Sequence, residues 1–253
     1  MPKKSSETAT TVIGIPLYPS FDSLDVAGPH QTFYMQAPPL QTLIIGPDTC
    51  DPVVSFEGMK IVPDFDFESC PQLDVLFVPG GVGLDKVLAE DKEEGFPYLR
   101  FLKRQAANAK LVTSVCTGAI FLAAAGLLDG YKATTHWGYL SVLKLFPKVI
   151  VAEGYPRFVI DANRVTGGGI SSGLDEGMAI VSLLLGNHAA KRGQLTMQYA
   201  PQPPFNNGDP STAEPSVLYE VSSNFRQSVE DLGKVVKEVQ ASFGQKRSQS
   251  ASK

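Results

Sequence analysis

The stretch Leu111-Val112-Thr113-Ser114-Val115-Cys116-Thr117-Gly118-Ala119-Ile120 decides the fold. An apolar run typical of a buried strand leads into a cysteine, and a helical pattern of small residues begins at once. Small residues lie two positions to either side of Cys116, at Ser114 and Gly118, as the tight backbone of a nucleophile elbow between strand and helix requires. The stretch therefore predicts the strand–turn–helix unit of an α/β protein.

Apolar runs and helical patterns alternate on both sides of this unit. Strands are predicted at Val12 to Tyr18, Leu40 to Ile45, Leu73 to Val78, Lys110 to Val115 and Val149 to Ala152, with hairpins at Val53 to Val62 and Arg157 to Thr166. Helices are predicted at Asp25 to Met35, Phe96 to Ala109, Thr117 to Leu128, Trp137 to Phe146, Ile170 to Leu185, Ala189 to Tyr199 and Glu214 to Phe243. This alternation predicts a mainly parallel sheet that is covered by helices on both faces.

Length and composition limit the classes of protein that fit. The chain has 253 residues, with 22 Lys and Arg against 26 Asp and Glu, so its formal net charge is −4. Hydrophobic residues make up 43% and charged residues 19%, which is typical of a soluble globular protein. The acidic balance gives no electrostatic reason to expect nucleic acid, and no apolar run approaches the roughly 20 residues of a membrane helix. We expect neither nucleic acid nor a membrane as a partner.

The pattern predicts one domain with polar ends. Residues 1–10 are rich in Lys, Ser and Thr, so we expect a flexible N-terminus. The short apolar stretch that follows has no convincing signal-peptide cleavage site. Residues 11–244 are predicted to form a single α/β domain that includes an amphipathic C-terminal helix at about 214–243. Residues 245–253 are polar and basic, and we expect a disordered tail there.

The cysteines and histidines give little support to a metal site or to disulfides. Cys50, Cys70 and Cys116 are odd in number, and none forms a CxxC pair. The three histidines are too scattered to suggest zinc ligands. We therefore predict no metal site and a reducing, cytoplasmic location.

Three segments that follow predicted strands could carry chemistry. Cys116 is either a nucleophile, which a helix N-terminus would activate as a thiolate, or a small core thiol. Asp25 is either a buried proton donor or the N-cap of the following helix, and local sequence alone favours the cap. Gly80 and Gly81 are either backbone donors to a ligand or residues of a simple turn. Since parallel α/β sheets form sites beyond the carboxyl ends of their strands, the three segments are expected to meet at one edge.

The same residues resemble a known family. The segments that carry the resemblance are Leu24-Asp25-Val26-Ala27-Gly28-Pro29-His30, Val78-Pro79-Gly80-Gly81, Thr113-Ser114-Val115-Cys116-Thr117-Gly118, Ala123-Ala124-Ala125-Gly126-Leu127-Leu128-Asp129-Gly130, Ala133-Thr134-Thr135-His136-Trp137 and Thr166-Gly167-Gly168-Gly169-Ile170. Over roughly residues 11 to 240 the chain resembles the DJ-1/PfpI superfamily, and more narrowly its isocyanide hydratase branch. Protease-like relatives place His directly after the nucleophile, whereas this chain has Thr117, which argues against a peptidase.

The resemblance implies a fold, a reaction and roles for particular residues. The implied fold is a flavodoxin-like three-layer α/β/α sandwich, and the implied assembly is a homodimer. The implied reaction adds water to an isocyanide and gives an N-substituted formamide, without metal or organic cofactor. Cys116 would be the nucleophile that forms a thioimidate and Asp25 the acid/base. Thr117 would assist through its backbone N–H and hydroxyl, and Gly80 and Gly81 would line an oxyanion-type pocket.

Further residues and functions remain open at the level of sequence. His136, Ser114 and Gly168 are expected to support the site from a second layer, and His136 is more consistent with a structural role than with a catalytic dyad. Two alternatives compete with the hydratase, which would be a lyase. One is a glyoxalase or deglycase that acts on reactive carbonyls, and the other is a non-catalytic redox or ligand sensor based on Cys116.

Overall fold

The fold is built on a seven-stranded, mostly parallel sheet in a computed structural model that describes residues 10–93 and 97–251. The strands are β1 Thr11–Pro16, β2 Leu40–Gly46, β3 Val53–Val54, β4 Lys60–Ile61, β5 Phe65–Asp66, β6 Val75–Val78, β7 Leu111–Ser114, β8 Lys132–Ala133, β9 Ile150–Val151, β10 Phe158–Asp161 and β11 Arg164–Gly167. The helices are α1 Ser23–Tyr34, α2 Leu84–Glu93, α3 Pro97–Ala106, α4 Gly118–Ala124, α5 Leu140–Leu143, α6 Ser172–Leu185, α7 Asn187–Thr196 and α8 Pro215–Ala251, with a 3-10 turn at Trp137–Tyr139.

The order of the strands determines where a site can form. The central sheet runs β10-β11-β7-β6-β1-β2-β5, and β10 is antiparallel to β11 while the other neighbours are parallel. From β1 the chain moves outward to β2, whereas from β6 it moves in the opposite direction to β7. The carboxyl ends of β1 and β6 therefore border the crevice at which such sheets bind ligands.

The helices form two groups that cover the sheet. Helices α1, α6 and α7 pack on one another in one group, and α2, α3, α4, α5 and α8 pack together in the other. Right-handed crossovers that leave the centre of a parallel sheet in opposite directions place their helices on opposite faces. The predicted three-layer α/β/α architecture is confirmed.

The innermost strands are buried on both faces. All four residues of β6 and all four of β7 are buried, as expected for central parallel strands. These two strands pair in register, with Val78 opposite Ser114. The residues that follow them, Gly80 and Cys116, therefore emerge side by side.

Several predicted elements are confirmed, and others have different bounds. Both predicted hairpins are present, as β3–β4 and β10–β11. The helix predicted to reach Leu128 ends at Ala124, because Gly126 takes a φ of 74° and terminates it. The helix predicted at Trp137 to Phe146 is split, because the backbone of Tyr139 (φ −112°) leaves the helical region.

The structure describes most of the C-terminal segment but little of the N-terminal one. The predicted flexible N-terminus lies outside the described residues except for Thr10. Helix α8 does not end near Phe243 but continues to Ala251, so it includes most of the segment predicted as a tail. The disorder of that tail stays a prediction. Across the described residues, no helix has the length and apolar character needed to cross a bilayer.

Candidate active site

Cys116 occupies a strained turn between β7 and α4. Its φ is 55°, in the left-handed region that residues other than glycine rarely adopt. Two contacts fix the backbone: the Cys116 N–H donates to the Gly168 carbonyl oxygen at 2.8 Å, and the Thr135 hydroxyl donates to the Cys116 carbonyl oxygen at 2.7 Å. Strain of this kind persists only where the surroundings enforce it, and it is concentrated at functional sites. The side chain is almost buried, with 6% of the residue exposed.

Asp25 lies in the first turn of α1 and faces the protein interior. The N-cap of α1 is Asp22, whose Oδ1 accepts from the Leu24 N–H at 3.0 Å, so the capping alternative for Asp25 is wrong. Asp25 is completely buried. Its Oδ2 accepts from the Gly80 N–H at 2.8 Å, while its Oδ1 has no hydrogen-bond partner among the described residues. A buried carboxyl oxygen without a partner is costly in a fold that needs it only for packing.

Gly80 joins Asp25 to Cys116. A methyl group on Gly80 would lie 2.8 Å from Asp25 Oδ2, 2.8 Å from Cys116 Cβ and 2.5 Å from the Thr117 nitrogen. Only a residue without a side chain allows these three groups to approach one another so closely. The structure therefore brings together Asp25, Gly80, Cys116 and Thr117, as the order of segments along the sheet predicts.

The amide groups of the glycine loop already have partners. The Gly80 N–H donates to Asp25, and the Gly81 N–H donates to the Thr117 Oγ1 at 3.0 Å. In this structure neither N–H is free to meet an oxyanion, so the predicted oxyanion-type role of Gly80 and Gly81 lacks geometric support. Their observed role is to hold Asp25 and Thr117 in place.

Thr117 fixes the loop through its hydroxyl. Its Oγ1 donates to the Gly81 carbonyl oxygen at 2.9 Å and accepts from the Gly81 N–H, so one hydroxyl satisfies both backbone groups of that glycine. The backbone N–H and the hydroxyl of Thr117 both act to lower the pKa of Cys116. Thr117 therefore contacts both the nucleophile candidate and the glycine loop.

Burial controls the protonation of the Asp25–Cys116 pair. It raises the pKa of Asp25 well above its ordinary value of 3.8, and the nearby Asp22 carboxyl raises it further. The Gly80 N–H and the Cys116 thiol act in the opposite direction. Burial likewise raises the pKa of the Cys116 thiol, with Asp25 as the second cause. Burial therefore shifts both groups toward their protonated forms, while the Thr117 backbone N–H and hydroxyl favour the Cys116 thiolate.

His136 has a structural position beside the pair. Its Nδ1 accepts from the Gly138 N–H at 3.2 Å and so caps the 3-10 turn. Its ring packs against Trp137, Tyr139 and Phe225. Burial lowers the pKa of His136 to about 4, so the ring is neutral near pH 7. These contacts agree with the structural role predicted for it.

Two other expected supporting residues lie directly beneath the elbow. Gly168 supplies the carbonyl oxygen that holds the Cys116 N–H, and its own N–H donates to the Arg157 carbonyl oxygen at 2.8 Å. Ser114, the last residue of β7, is fully buried, and its hydroxyl has no hydrogen-bond partner among the described residues.

Sequence reasoning missed Glu176. In the sequence Glu176 resembles any acid in the first turns of a helix, where a carboxylate favours the helix dipole. In the structure it is fully buried in α6, and neither carboxyl oxygen has a hydrogen-bond partner among the described residues. Burial raises its pKa well above 4.5, and the Asp25 carboxyl is the second cause. The sequence does contain one indication that this part of the helix is buried. Gly173 and Gly177 are four residues apart, so these two small residues share one face of the helix on either side of Glu176 in the sequence.

A cavity of about 980 Å³ opens next to the elbow. Its wall includes Thr135 and Gly168, which hold the Cys116 backbone, although Cys116 itself does not line it. Apolar and polar side chains both contribute to the wall, including Leu24, Trp137, Ile170, Phe205, Arg157 and Asp175. Arg157 and Asp175 form an ion pair at 2.7 Å. Among the described residues, no group of three or more His, Cys, Asp or Glu side chains could hold a metal ion.

Comparison with known proteins gives one family match and relatives of two kinds, an enzyme and a transcriptional regulator. The model of the DJ-1/PfpI family matches residues 12–183. An isonitrile hydratase of Pseudomonas putida is 40% identical over 208 residues, which cover 82% of this chain and 87% of that protein. The transcriptional regulator GbdR of Pseudomonas aeruginosa is 35% identical over 120 residues, which cover 47% of this chain and 30% of the regulator.

A solved structure agrees with these matches. The crystal structure of a ThiJ/PfpI family protein from Pseudomonas syringae has a TM-score of 0.82 and 35% identity, and the match covers 93% of this chain and 97% of that chain. Drosophila melanogaster DJ-1beta, at 17% identity and a TM-score of 0.66, shares the fold over 76% of this chain and 100% of its own.

Proposed function

The chain belongs to the DJ-1/PfpI family, and from this premise we propose that it is an isocyanide hydratase-like lyase that uses Cys116 and Asp25. The observation that carries the proposal is the buried Asp25–Cys116 pair, which Gly80 holds together at the carboxyl ends of β1, β6 and β7. The 40% identity to the isonitrile hydratase, which extends over most of both chains, supports the same chemistry.

The first step forms a covalent intermediate on Cys116. Asp25 gives its proton to the terminal carbon of the isocyanide while the Cys116 sulfur bonds to that carbon, and the thiol proton passes to the Asp25 carboxylate. The product is a thioimidate, R–N=CH–S–Cys116, which contains all atoms of the isocyanide and the thiol. The raised pKa values of both groups support this step, because burial favours the protonated forms from which the two protons move.

The second step releases the product by hydrolysis. Water adds to the thioimidate carbon, its proton goes to Asp25, and the proton already on Asp25 goes to the nitrogen. Collapse of the adduct breaks the carbon–sulfur bond, returns a proton to the sulfur and gives R–NH–CHO. The sum of both steps is the addition of one water to one isocyanide, so the scheme needs no redox partner.

The cavity next to the elbow is the proposed site for the substituent R. It borders Thr135 and Gly168, which hold Cys116, and its volume of about 980 Å³ accommodates a bulky group. The apolar Leu24, Trp137 and Ile170 in its wall suit an aryl or alkyl isocyanide. The resemblance also implies a homodimer, and exposed apolar side chains at Val217 and Tyr219 at the start of α8 suit a contact with a second copy.

A sensor function is the second candidate, because several relatives are transcriptional regulators. The matches to the regulators GbdR, CdhR and GlxA span between 25% and 41% of the length of each regulator. A sensor would bind a ligand or oxidise Cys116 without turnover.

One assay separates these functions. The purified protein is mixed with an aryl isocyanide, and formation of the N-aryl formamide is followed by chromatography. We expect turnover by the wild type and none by Cys116→Ala. A Cys50→Ser variant serves as the matched control, because Cys50 is exposed, and it should retain full turnover.

Other results would assign the protein differently. A wild type inactive on isocyanides, or a Cys116→Ala variant that keeps turnover, would reject the hydratase. Consumption of methylglyoxal with inert isocyanides would favour the glyoxalase alternative. Inactivity on both, together with ready oxidation of Cys116 by peroxide, would favour a sensor.

A further inference from the structure

Unpartnered polar atoms are concentrated beneath the elbow. Among the described residues, five buried side-chain oxygens have no hydrogen-bond partner, and they belong to Asp25, Ser114, Ser172 and Glu176. Asp25 and Ser114 adjoin the catalytic pair, whereas the site already described gives no task to Ser172 or Glu176. Native proteins leave few such atoms unsatisfied, so five in four residues mark an unusually polar region inside an otherwise apolar core.

Helix packing places these groups in one region. A methyl group on Gly167 would collide with Glu176 Oε2 and lie 3.0 Å from the Ser172 Oγ, so both side chains crowd the end of β11. Strand β11 pairs with β7, with Thr166 opposite Ser114. Helix α6 lies against α1, since a methyl group on Gly173 would lie 3.1 Å from the Pro29 side chain. Glu176 is therefore fully buried at the end of β11, on the helix that packs against α1.

Among the described residues, no cation contributes to the electrostatics of Glu176. Arg157 is engaged by Asp175, the neighbour of Glu176 in sequence, through an ion pair at 2.7 Å. From α1 the Asp25 carboxyl acts on Glu176 and raises its pKa. Asp25 in turn is influenced by Asp22 and Glu57, both carboxyls, and by the Cys116 thiol. The Ser114 backbone N–H acts on Glu176 in the opposite direction. A fully buried carboxyl with acidic neighbours and no cation beside it among the described residues is more stable as the neutral acid than as the carboxylate.

Protonation of Glu176 changes the number of hydrogen-bond donors in this region. It supplies one O–H donor, and each serine hydroxyl both donates and accepts. Asp25 Oδ1 is an acceptor that receives no hydrogen bond from the part of the chain that the structure describes. Donors and acceptors that do not contact one another directly, in a buried polar space, are the setting in which proteins hold internal water.

We propose that Glu176 is a positioning residue of the active site: as an uncharged acid it holds, with Ser114 and Ser172, buried water that donates a hydrogen bond to Oδ1 of Asp25. The hydrogen bond stabilises the carboxylate that Asp25 becomes each time it gives up its proton. Glu176 itself touches neither substrate nor sulfur. The importance of this water for turnover rests on the proposed function, but its presence and its effect on Asp25 do not.

A matched pair of substitutions tests the proposal without any substrate. Glu176→Gln keeps a donor at the same position, and Glu176→Met keeps the shape but removes it. Titration of the Asp25 carboxyl is followed by 13C NMR of protein labelled at aspartate, with the signal assigned through Asp25→Asn. We expect Glu176→Met to raise the titration midpoint of Asp25 by about one pH unit, the equivalent of one hydrogen bond to a charged group. Glu176→Gln should leave it within about 0.3 unit of the wild type.

The control is Glu220→Met, the same chemical change at an exposed position of α8, which should not move the midpoint. An unchanged midpoint in Glu176→Met would overturn the proposal. So would a fall of one unit or more in Glu176→Gln, because it would show that Glu176 carries a charge. An Asp25 that stays protonated until the wild type unfolds would also overturn it, since no charged acceptor would exist.

Two further measurements test the same proposal independently of Glu176→Met. If Glu176→Met does not fold, Ser172→Ala removes one ligand of the same water and should raise the midpoint of Asp25 in the same direction by a smaller amount. A high-resolution crystal structure of the wild type should show ordered water within hydrogen-bonding distance of Glu176 and Ser172, and an empty space there would reject the proposal. If isocyanide turnover is absent while these results hold, only the proposed function fails.

Discussion

Replacing Gly80 by alanine should disable the site by separating its two reactive groups. The added methyl would lie 2.8 Å from both Asp25 Oδ2 and Cys116 Cβ, and 2.5 Å from the Thr117 nitrogen. Ordinary contacts begin at 3.4 Å, so Asp25 and Cys116 must each retreat by about 0.6 Å (3.4 − 2.8) and the Thr117 backbone by about 0.9 Å (3.4 − 2.5). The Gly80 N–H would then lose its hydrogen bond to Asp25.

The size of the effect follows from these displacements. Overpacking of a rigid interior typically costs about 1–3 kcal/mol of the free energy of unfolding. Displacement of a reacting group by about 1 Å can reduce a rate by about 100-fold. We therefore expect Gly80→Ala to remain folded, to unfold at a lower denaturant concentration, and to lose about two orders of magnitude in kcat/KM for an aryl isocyanide.

Gly28→Ala is the matched control. It adds the same methyl three residues after Asp25 in α1, where the nearest atom, the Leu174 Cγ, is 3.4 Å away. This variant should keep stability and turnover within about twofold of the wild type, because the methyl meets only ordinary contacts. Equal activity in Gly80→Ala and the wild type would refute the idea that Gly80 sets the distance between Asp25 and Cys116. Equal losses in both variants would show that the region tolerates no added methyl at all.

Three other changes test the remaining parts of the site. Asp25→Asn should abolish turnover and raise the free energy of unfolding at neutral pH. Burial raises the pKa of Asp25 in the folded state, so the stability that this carboxyl contributes is present below the unfolded value of about 3.8 and is lost as the pH rises. Urea unfolding of both proteins at pH 4 and pH 8 measures the difference. Thr117→Val should lose about 1–3 kcal/mol in the same unfolding assay, because it leaves the Gly81 N–H and carbonyl oxygen unpaired, whereas Thr117→Ser should not. His136→Gln should lose less stability than the wild type as the pH falls from 6.5 to about 4. Burial lowers the pKa of His136 to about 4, so in this range the unfolded wild-type chain binds a proton that the folded protein does not. Thermal unfolding across the same pH range checks this prediction.

The sequence predicts the sheet well because strand and helix patterns along the chain are local. The elbow at Cys116 is readable since a buried strand, a small-residue turn and a helix follow one another without a gap. The strand order cannot be read in this way, yet the preference for right-handed crossovers limits it, and the three segments meet where that preference places them.

The functions of individual polar groups were harder to predict. Local sequence favours Asp25 as an N-cap, and only tertiary structure shows that Asp22 takes that position while Asp25 turns inward. Glu176 looks like an ordinary acid near a helix start, because burial of a charged residue depends on what packs against the helix. The bond partners of Gly80 and Gly81 come from residues tens of positions away, so no local pattern contains them.

Several costly features lie together at the candidate active site. Cys116 has a positive φ, and among the described residues the buried side chains of Asp25, Glu176 and Ser114 each have an oxygen without a hydrogen-bond partner. Each of these costs free energy, and a core made only for stability would replace them with apolar side chains. Since the adjoining strands β6 and β7 are fully buried, the fold has enough apolar burial to tolerate them. Their concentration at one crevice is thus better explained by chemistry at Cys116 than by folding.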